Sequence, residues 1–212
     1  MSSITRLVVL GAVHQFQPVH GYFLRRELLT WHVDEWANVQ AGSIYNALRS
    51  LEKDGYVEES STEAEGKRPA RTTYSITPEG EVEFLRMFRS VLWNVEIFDA
   101  KPVMVVPSFM NVLSRQEVVD ALAHRVSDID AIVLTNAYNI DDTTRSSTTP
   151  GYVREIFELS TLRLRAEQQW ARDLRERLLA GDYVFAGEKG SRVESAPELV
   201  PADEAVNGAG RQ

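Results

Sequence analysis

The chain has 212 residues, with 31 Asp and Glu against 23 Lys and Arg, a formal net charge of −8, and no cysteine. Disulfides, zinc–thiolate sites and cysteine nucleophiles are therefore excluded, and the acidic total argues against a non-specific coat for nucleic acid. An apolar share of 43% is enough for a real core, and this length allows one large domain or two small ones.

The first residues, MSSITRLVVLGAVHQF, hold an apolar run too short for a bilayer. They lack a basic leader with a small-residue cleavage site, so they are not read as a signal peptide. No other run is apolar enough to span a membrane, and the expected location is the cytoplasm, with no membrane partner. Ile4, Leu7, Val8, Val9, Leu10, Val13 and Phe16 cover nearly every face of a helix over 4–16, as in a buried helix. Gln17-Pro18 stops it. A second helix follows Gly21, with Tyr22, Leu24, Leu28 and Leu29 as its apolar side. AGSIYNALRSLEKD, 41–54, reads as a third helix ended by Gly55, the usual left-handed stop.

The period then changes. Residues 56–59 and 72–76 are rich in β-branched and aromatic residues and read as strands around a long polar turn, SSTEAEGKRPA. Thr77-Pro78-Glu79 restarts a helix, with threonine as N-cap, proline at the first helical position and an acid in the first turn. Three helices, a strand, a turn, a strand and a helix, in this order, make a winged helix-turn-helix. Beyond it, VMVVPSFMNVL, 103–113, reads as a helix kinked at Pro107. Ser114 and Glu117 fit a capping box. Val119, Leu122, Val126, Ile129, Val133 and Ile140 then keep a helical rhythm with one polar gap at Asn136. A polar linker is expected over 141–151. A last helix from Tyr152 to Leu179 carries Val153, Ile156, Leu159, Leu162, Ala166, Trp170, Leu174 and Leu178 on one stripe. An apolar stripe that long needs a partner, within the chain or in a second copy.

Two features carry the chemistry. At 100° per residue, Ile44, Leu48 and Leu51 share the inner arc of the third helix. Gly42, Asn46, Arg49 and Lys53 share the outer arc, with Tyr45 at its edge. A small residue, an amide and two cations on one face suit entry into a major groove, where Asn46 reads a base edge and Arg49 or Lys53 meets guanine or phosphate. The KRPAR cluster puts Lys67, Arg68 and Arg71 at the tip of the following hairpin, placed to neutralise phosphates. Gly66 lets that turn bend and Pro69 limits its freedom.

GSIYNALRSLEKDGYVE, GKRPARTTYSITPEG and the earlier HGYFLRREL resemble the PadR family of bacterial transcriptional regulators, closely over about residues 4–82 and more loosely beyond. The wing departs slightly, with Lys67 before Arg68 and Ile76 for the commoner leucine. The resemblance implies a homodimeric regulator, usually a repressor, whose C-terminal helices form the dimer interface. It implies DNA contacts at Ser43, Tyr45 and Arg49 on the helix and at Lys67, Arg68 and Arg71 on the wing. Tyr74 matches a family tyrosine and reads here as a strand residue of the core. Asn46 stands where the family often has proline, so its base contact is read from this sequence alone. Some members are released from DNA by aromatic or multidrug-like molecules; Trp93, Phe98 and Trp170 are the aromatic residues expected to line such an effector site.

The expected fold is mainly α with a small β-hairpin wing. It comprises a winged helix-turn-helix over 1–90, an antiparallel helical dimerisation domain over 91–183 and a disordered tail over 184–212. The expected partners are a double-stranded DNA operator with two-fold symmetry, a second copy of the chain, and a small-molecule effector. No cofactor or metal is expected, because His14, His20, His32 and His124 lack ligand spacing. No phosphate loop, GxSxG or dinucleotide fingerprint points to an enzyme. The rival class is a winged helix used only for protein contact.

Overall fold

The structure is a computed structural model and describes residues 3–62 and 71–189. Helix α1 (Ser3–Phe16) runs through the middle of the core, with Leu7, Val8, Val9, Leu10, Ala12 and Val13 sealed from solvent. A two-residue strand, β1 (Val19–His20), leads into α2 (Gly21–Thr30) and the single turn α3 (Val33–Trp36). Then comes α4 (Ala41–Lys53), which buries Ile44, Ala47, Leu48 and Leu51. Gly55, at φ +78°, ends it as expected: the amides of Gly55 and Tyr56 donate to the carbonyls of Glu52 and Leu51 at 2.9 Å each.

The hairpin β2 (Val57–Thr62) and β3 (Arg71–Ile76) pairs antiparallel, Val57 opposite Ile76 through Thr62 opposite Arg71. β1 adds to the other edge of β3, Val19 opposite Tyr74, giving the order β1-β3-β2. Tyr22, read as part of the apolar side of α2, is instead 66% exposed; Gly21, Leu24 and Leu28 form the buried side.

Helix α5 (Pro78–Trp93) begins as its sequence predicts. Thr77 Oγ1 accepts from the Gly80 amide at 3.0 Å and donates to the Gly55 carbonyl at 2.7 Å. A Cβ on Gly80 would sit 2.0 Å from the Tyr56 carbonyl oxygen, so only glycine allows this helix start to lie on the α4–β2 corner. The domain boundary expected at residue 90 falls inside α5, and one apolar cluster takes in residues on both sides of it. Phe84, Phe88 and Leu92 of α5 pack there with Val105, Val106, Phe109 and Leu113, and with Val118 and Leu122 further on.

In place of one Pro107-kinked helix, residues 101–112 form three short pieces: α6 (Lys101–Met104), α7 (Val106–Phe109) and a 3-10 turn (Met110–Val112). Pro107 stands in the first turn of α7, where its missing N–H costs nothing. Helix α8 (Arg115–Arg145) is capped by Ser114, whose Oγ accepts from the Glu117 amide at 3.2 Å. The reciprocal half of the expected box does not form. Glu117 turns away to Arg89 of α5, at 2.6 Å.

α8 also runs through the first half of the expected 141–151 linker. An Asp141–Arg145 pair at 2.8 Å, four residues apart, supports that extra turn. A 3-10 turn (Gly151–Val153) leads into α9 (Arg154–Leu179), which packs back on α8. The stripe expected on α9 splits between two environments. Leu174 and Leu178 enter the core, whereas Ile156, Leu159 and Leu162 are 53%, 70% and 68% exposed. The seam facing α8 is a different and more polar line, with Ser160, Leu164, Gln168 and Ala171 buried. There Asn136, the polar gap in the rhythm of α8, is buried and donates to Ser160 Oγ at 2.8 Å.

The tail expected to be disordered from residue 184 is docked as far as Glu188. Phe185 is fully buried and the Ala186 amide donates to the Asn111 carbonyl at 3.0 Å. Arg115 binds both Glu188 carboxylate oxygens at 2.7 and 2.8 Å, and donates to the carbonyls of Leu178, Asp182 and Tyr183 at 2.8 Å. A guanidinium with this many acceptors holds the segment against the start of α8, which composition alone did not reveal. Residues 190–212 lie outside the described residues.

Candidate nucleic-acid interface

Helix α4 presents the face its periodicity predicts. Gly42, Asn46, Arg49 and Lys53 are exposed, Tyr45 is 39% exposed, and Ser43 is half-buried in the first turn. The helix is held from behind. Arg6 of α1 donates to Asp54 Oδ2 at 2.7 Å and to Ser50 Oγ at 3.1 Å, which fixes its C-terminal end. At its other end the Tyr45 ring edge comes within 3.2 Å of the Cβ position of Gly21, where α2 begins.

On the outer face Arg49 Nη2 donates to Asn46 Oδ1 at 2.6 Å. This bond has a chemical consequence. With one lone pair of its oxygen engaged, the Asn46 amide keeps its NH2 donors and one remaining acceptor position. Beside it stand the remaining guanidinium donors of Arg49 and the Lys53 ammonium. The face is rich in donors, which suits the N7 and O6 acceptors of guanine. A bidentate reading of adenine would have to use the second lone pair of the Asn46 oxygen, beside the Arg49 bond.

The wing hairpin stands beside α4, joined to it by the Gly55 turn. Arg71 opens β3 opposite Thr62, so it lies near the far end of the paired strands. Lys67 and Arg68, together with Gly66 and Pro69, lie outside the described residues. At the near end, Tyr74 is partly buried against the core, as expected of a strand residue. Burial, and then the carboxylates of Glu59 and Glu52, hold its phenol above the ordinary value, so it stays neutral. His20 Nδ1 lies 3.2 Å from the Thr72 carbonyl and ties β1 to the same strand.

Three aromatic residues were expected at an effector site. Trp93 ends α5 and is half-buried, its ring 5.6 Å from the His124 imidazole. Phe98 is 68% exposed on the segment after α5, and Trp170 is half-buried against the core. Among the described residues no ring contact joins any two of the three. A cavity of about 270 Å³ lies elsewhere, between the start of α1 (Ser3, Ile4, Leu7) and the end of α5 (Met87, Ser90, Val91), and none of the three lines it.

Sequence reading also missed a basic–aromatic patch on α2. Tyr22, Arg25, Arg26 and Leu29 line a shallow depression there, and Arg26 lies 4.9 Å from the Phe23 ring centroid. The Tyr22–Arg25 spacing of three residues was the available signal.

Residues 9–86 match the PadR-like family of transcriptional regulators. Among curated proteins none matches this chain. Several solved structures align with most of this chain at low scores. PadR of Bacillus subtilis, in complex with operator DNA, is 16% identical, with a TM-score of 0.32 over 82% of this chain and 98% of that one. A Streptococcus mutans protein is 20% identical, with a TM-score of 0.37 over 80% of this chain and 96% of that one. The PadR-like transcriptional regulator of Bacillus cereus is also 20% identical, with a TM-score of 0.33 over 84% and 99%. A likeness of that size locates no individual residue of this chain.

Proposed function

We propose that this chain, with its PadR-like winged helix over residues 9–86, is a homodimeric, sequence-specific DNA-binding repressor of the cytoplasm. The observation that carries the reading is the outer face of α4. A glycine, an amide and two cations stand free of the core there, on a helix braced from behind by Arg6. In the proposed mode α4 enters the major groove. Gly42 and Ser43 approach the backbone, Asn46 and Arg49 read guanine acceptors, and Tyr45 and Lys53 meet phosphate. Lys67, Arg68 and Arg71 neutralise phosphates beside the groove.

Dimerisation is supported by the surface of the α8–α9 hairpin. Its inner seam uses polar side chains such as Asn136 and Gln168, while Leu134, Tyr138, Tyr152, Ile156, Leu159 and Leu162 are left exposed. Burying one leucine stabilises an assembly by roughly 1.5–3 kcal/mol, so several together favour a second copy. Two copies would bring two α4 helices to half-sites about one helical turn apart, and hence to a two-fold-symmetric operator. Occupying a promoter is the proposed means of repression.

Release by an aromatic or multidrug-like effector rests on the family resemblance. Such a molecule would have to bind two dimer geometries unequally. Trp93, Phe98 and Trp170 remain its proposed contacts, and the three would be completed across a dimer rather than within one chain.

The test is selection of duplexes from a random pool, followed by binding against salt. The expected result is a palindromic, guanine-containing site. The logarithm of affinity should fall steeply with that of salt, and Lys67→Ala and Arg68→Ala should each lower that slope by about 0.9. A chain that enriches no sequence and shows no slope on duplex DNA would be a protein-contact winged helix instead.

A further inference from the structure

Two arginines of the C-terminal hairpin do something the DNA-facing residues do not account for. Arg125 of α8 is 1% exposed and is the largest fully buried side chain among the described residues. Its Nη2 donates to the carbonyls of Val91 and Asn94 at 2.6 and 2.7 Å, where α5 ends. Its Nη1 meets Glu167 of α9 at 2.6 Å. Arg163, also of α9, donates through Nη2 to the next carbonyls along, those of Glu96 at 2.7 Å and of Ile97. Four carbonyls over seven residues are thus gripped by two guanidinium groups from two different helices.

The far end of α5 is fixed equally firmly. Gly80 lies on the Tyr56 carbonyl, and Thr77 bonds to Gly55 and Tyr56 at the junction of α4 and the wing. α5 is therefore a strut of 16 residues, roughly 24 Å long, between the reading head and the hairpin. Apolar packing alone would leave the strut's angle a scatter of about 15–20°, because ridges-into-grooves contacts favour a class of angles rather than one value. Bonds to carbonyls have a preferred direction. A buried Arg–Glu pair is also a poor source of stability, since apolar residues of similar volume often serve as well or better. Desolvation works against the charged form of Arg125, and Glu167 opposes that effect.

We infer that Arg125 and Arg163 are positioning residues. They lock the end of α5 to the α8–α9 hairpin, and so fix the angle at which each winged helix meets DNA and the half-site spacing the dimer accepts. The spacing half of this inference rests on the DNA-binding reading above; the locking half does not.

The test uses Arg163→Gln, and Arg125→Met combined with Glu167→Met, which removes the buried charges while keeping volume. Because the chain has no cysteine, spin labels at Glu52→Cys on α4 and Glu155→Cys on α9 report the distance between reading head and hairpin. Labelled protein is diluted into unlabelled chain so that one molecule is read at a time. The unaltered clamp should give one narrow distance, and both clamp variants a broadened distribution.

On the selected operator, one added base pair turns a half-site by about 35°, and the intact protein should lose roughly tenfold in affinity. The clamp variants should lose less than about threefold, with Arg163→Lys restoring part of the difference. Unchanged distance distributions, or a spacing preference identical in all variants, would overturn the inference. If the intact protein ignores every duplex, the DNA-binding reading and the spacing claim fall together. The distance measurement then decides the locking claim on its own.

Discussion

Replacing Gly42 by alanine should raise the stability of this protein and lower its affinity for DNA, and the opposite signs make the change informative. A Cβ built at Gly42 meets no atom within 4 Å, so the methyl group causes no clash in the free protein. Gly42 is the second residue of α4, and alanine loses less backbone entropy there on folding. A gain of about 0.5 kcal/mol is expected, or ~1–2 °C in Tm for a chain of this size.

On DNA the same methyl group would project from the face proposed to approach the backbone. The first amides of a helix lack carbonyl partners of their own and suit a phosphate, provided it can come close. A methyl group that holds the helix back by an ångström weakens such a contact and the base readings behind it. Losing one good base pairing costs about 1–3 kcal/mol, which puts the expected fall in affinity near tenfold. Fluorescence anisotropy on the selected operator at fixed salt, with a thermal melt of the same sample, reads both quantities. A higher Tm with unchanged affinity would mean that the start of α4 does not approach DNA, and the assignment of Gly42 would be wrong.

Gly80→Ala should act on folding alone. Its Cβ would lie 2.0 Å from a backbone oxygen that cannot swing aside, and a loss of about 3 kcal/mol is expected in urea unfolding. The Glu188 clasp should depend on pH. Its bonds to Arg115 and to the Phe185 amide lower its pKa from 4.5 to about 2, so the contribution is complete above pH ~5. It should fade as pH falls through 4.5 towards 2. The protection factor of the Ala186 amide, its exchange rate corrected for the intrinsic pH dependence, should fall over that window, and Glu188→Gln should abolish the dependence. Leu159→Glu alters a side chain that is 70% exposed, so the monomer should fold while sedimentation shows loss of the proposed dimer.

Much of the winged helix was legible because its determinants are short-range. The spacing of Ile44, Leu48 and Leu51 sets which side of α4 is buried, and its outer residues follow from the helical period. Thr77, Pro78 and Gly55 mark their boundaries through hydrogen bonds that span only a few residues or through a positive φ. Other features had no local signature. β1 is two residues long and exists only because β3 offers it an edge. Tyr22 lies at an apolar position in the pattern of α2 yet faces solvent, because the fold turns Gly21, Leu24 and Leu28 inward.

Local pattern was enough to give the order of the longer helices and the wing strands, the Gly55 end of α4 and the side that helix turns outward, since glycine conformation and helical period act within a few residues. Long-range contacts alone made Arg125 buried rather than solvated, made Asn136 a bond across the hairpin rather than a gap, and docked residues 185–188. The stripe on α9 was divided between core and surface in the same way. In each case the deciding partner lies tens of residues away. The cost of burying a charge or an amide is set by what meets it in space, not by its neighbours along the chain.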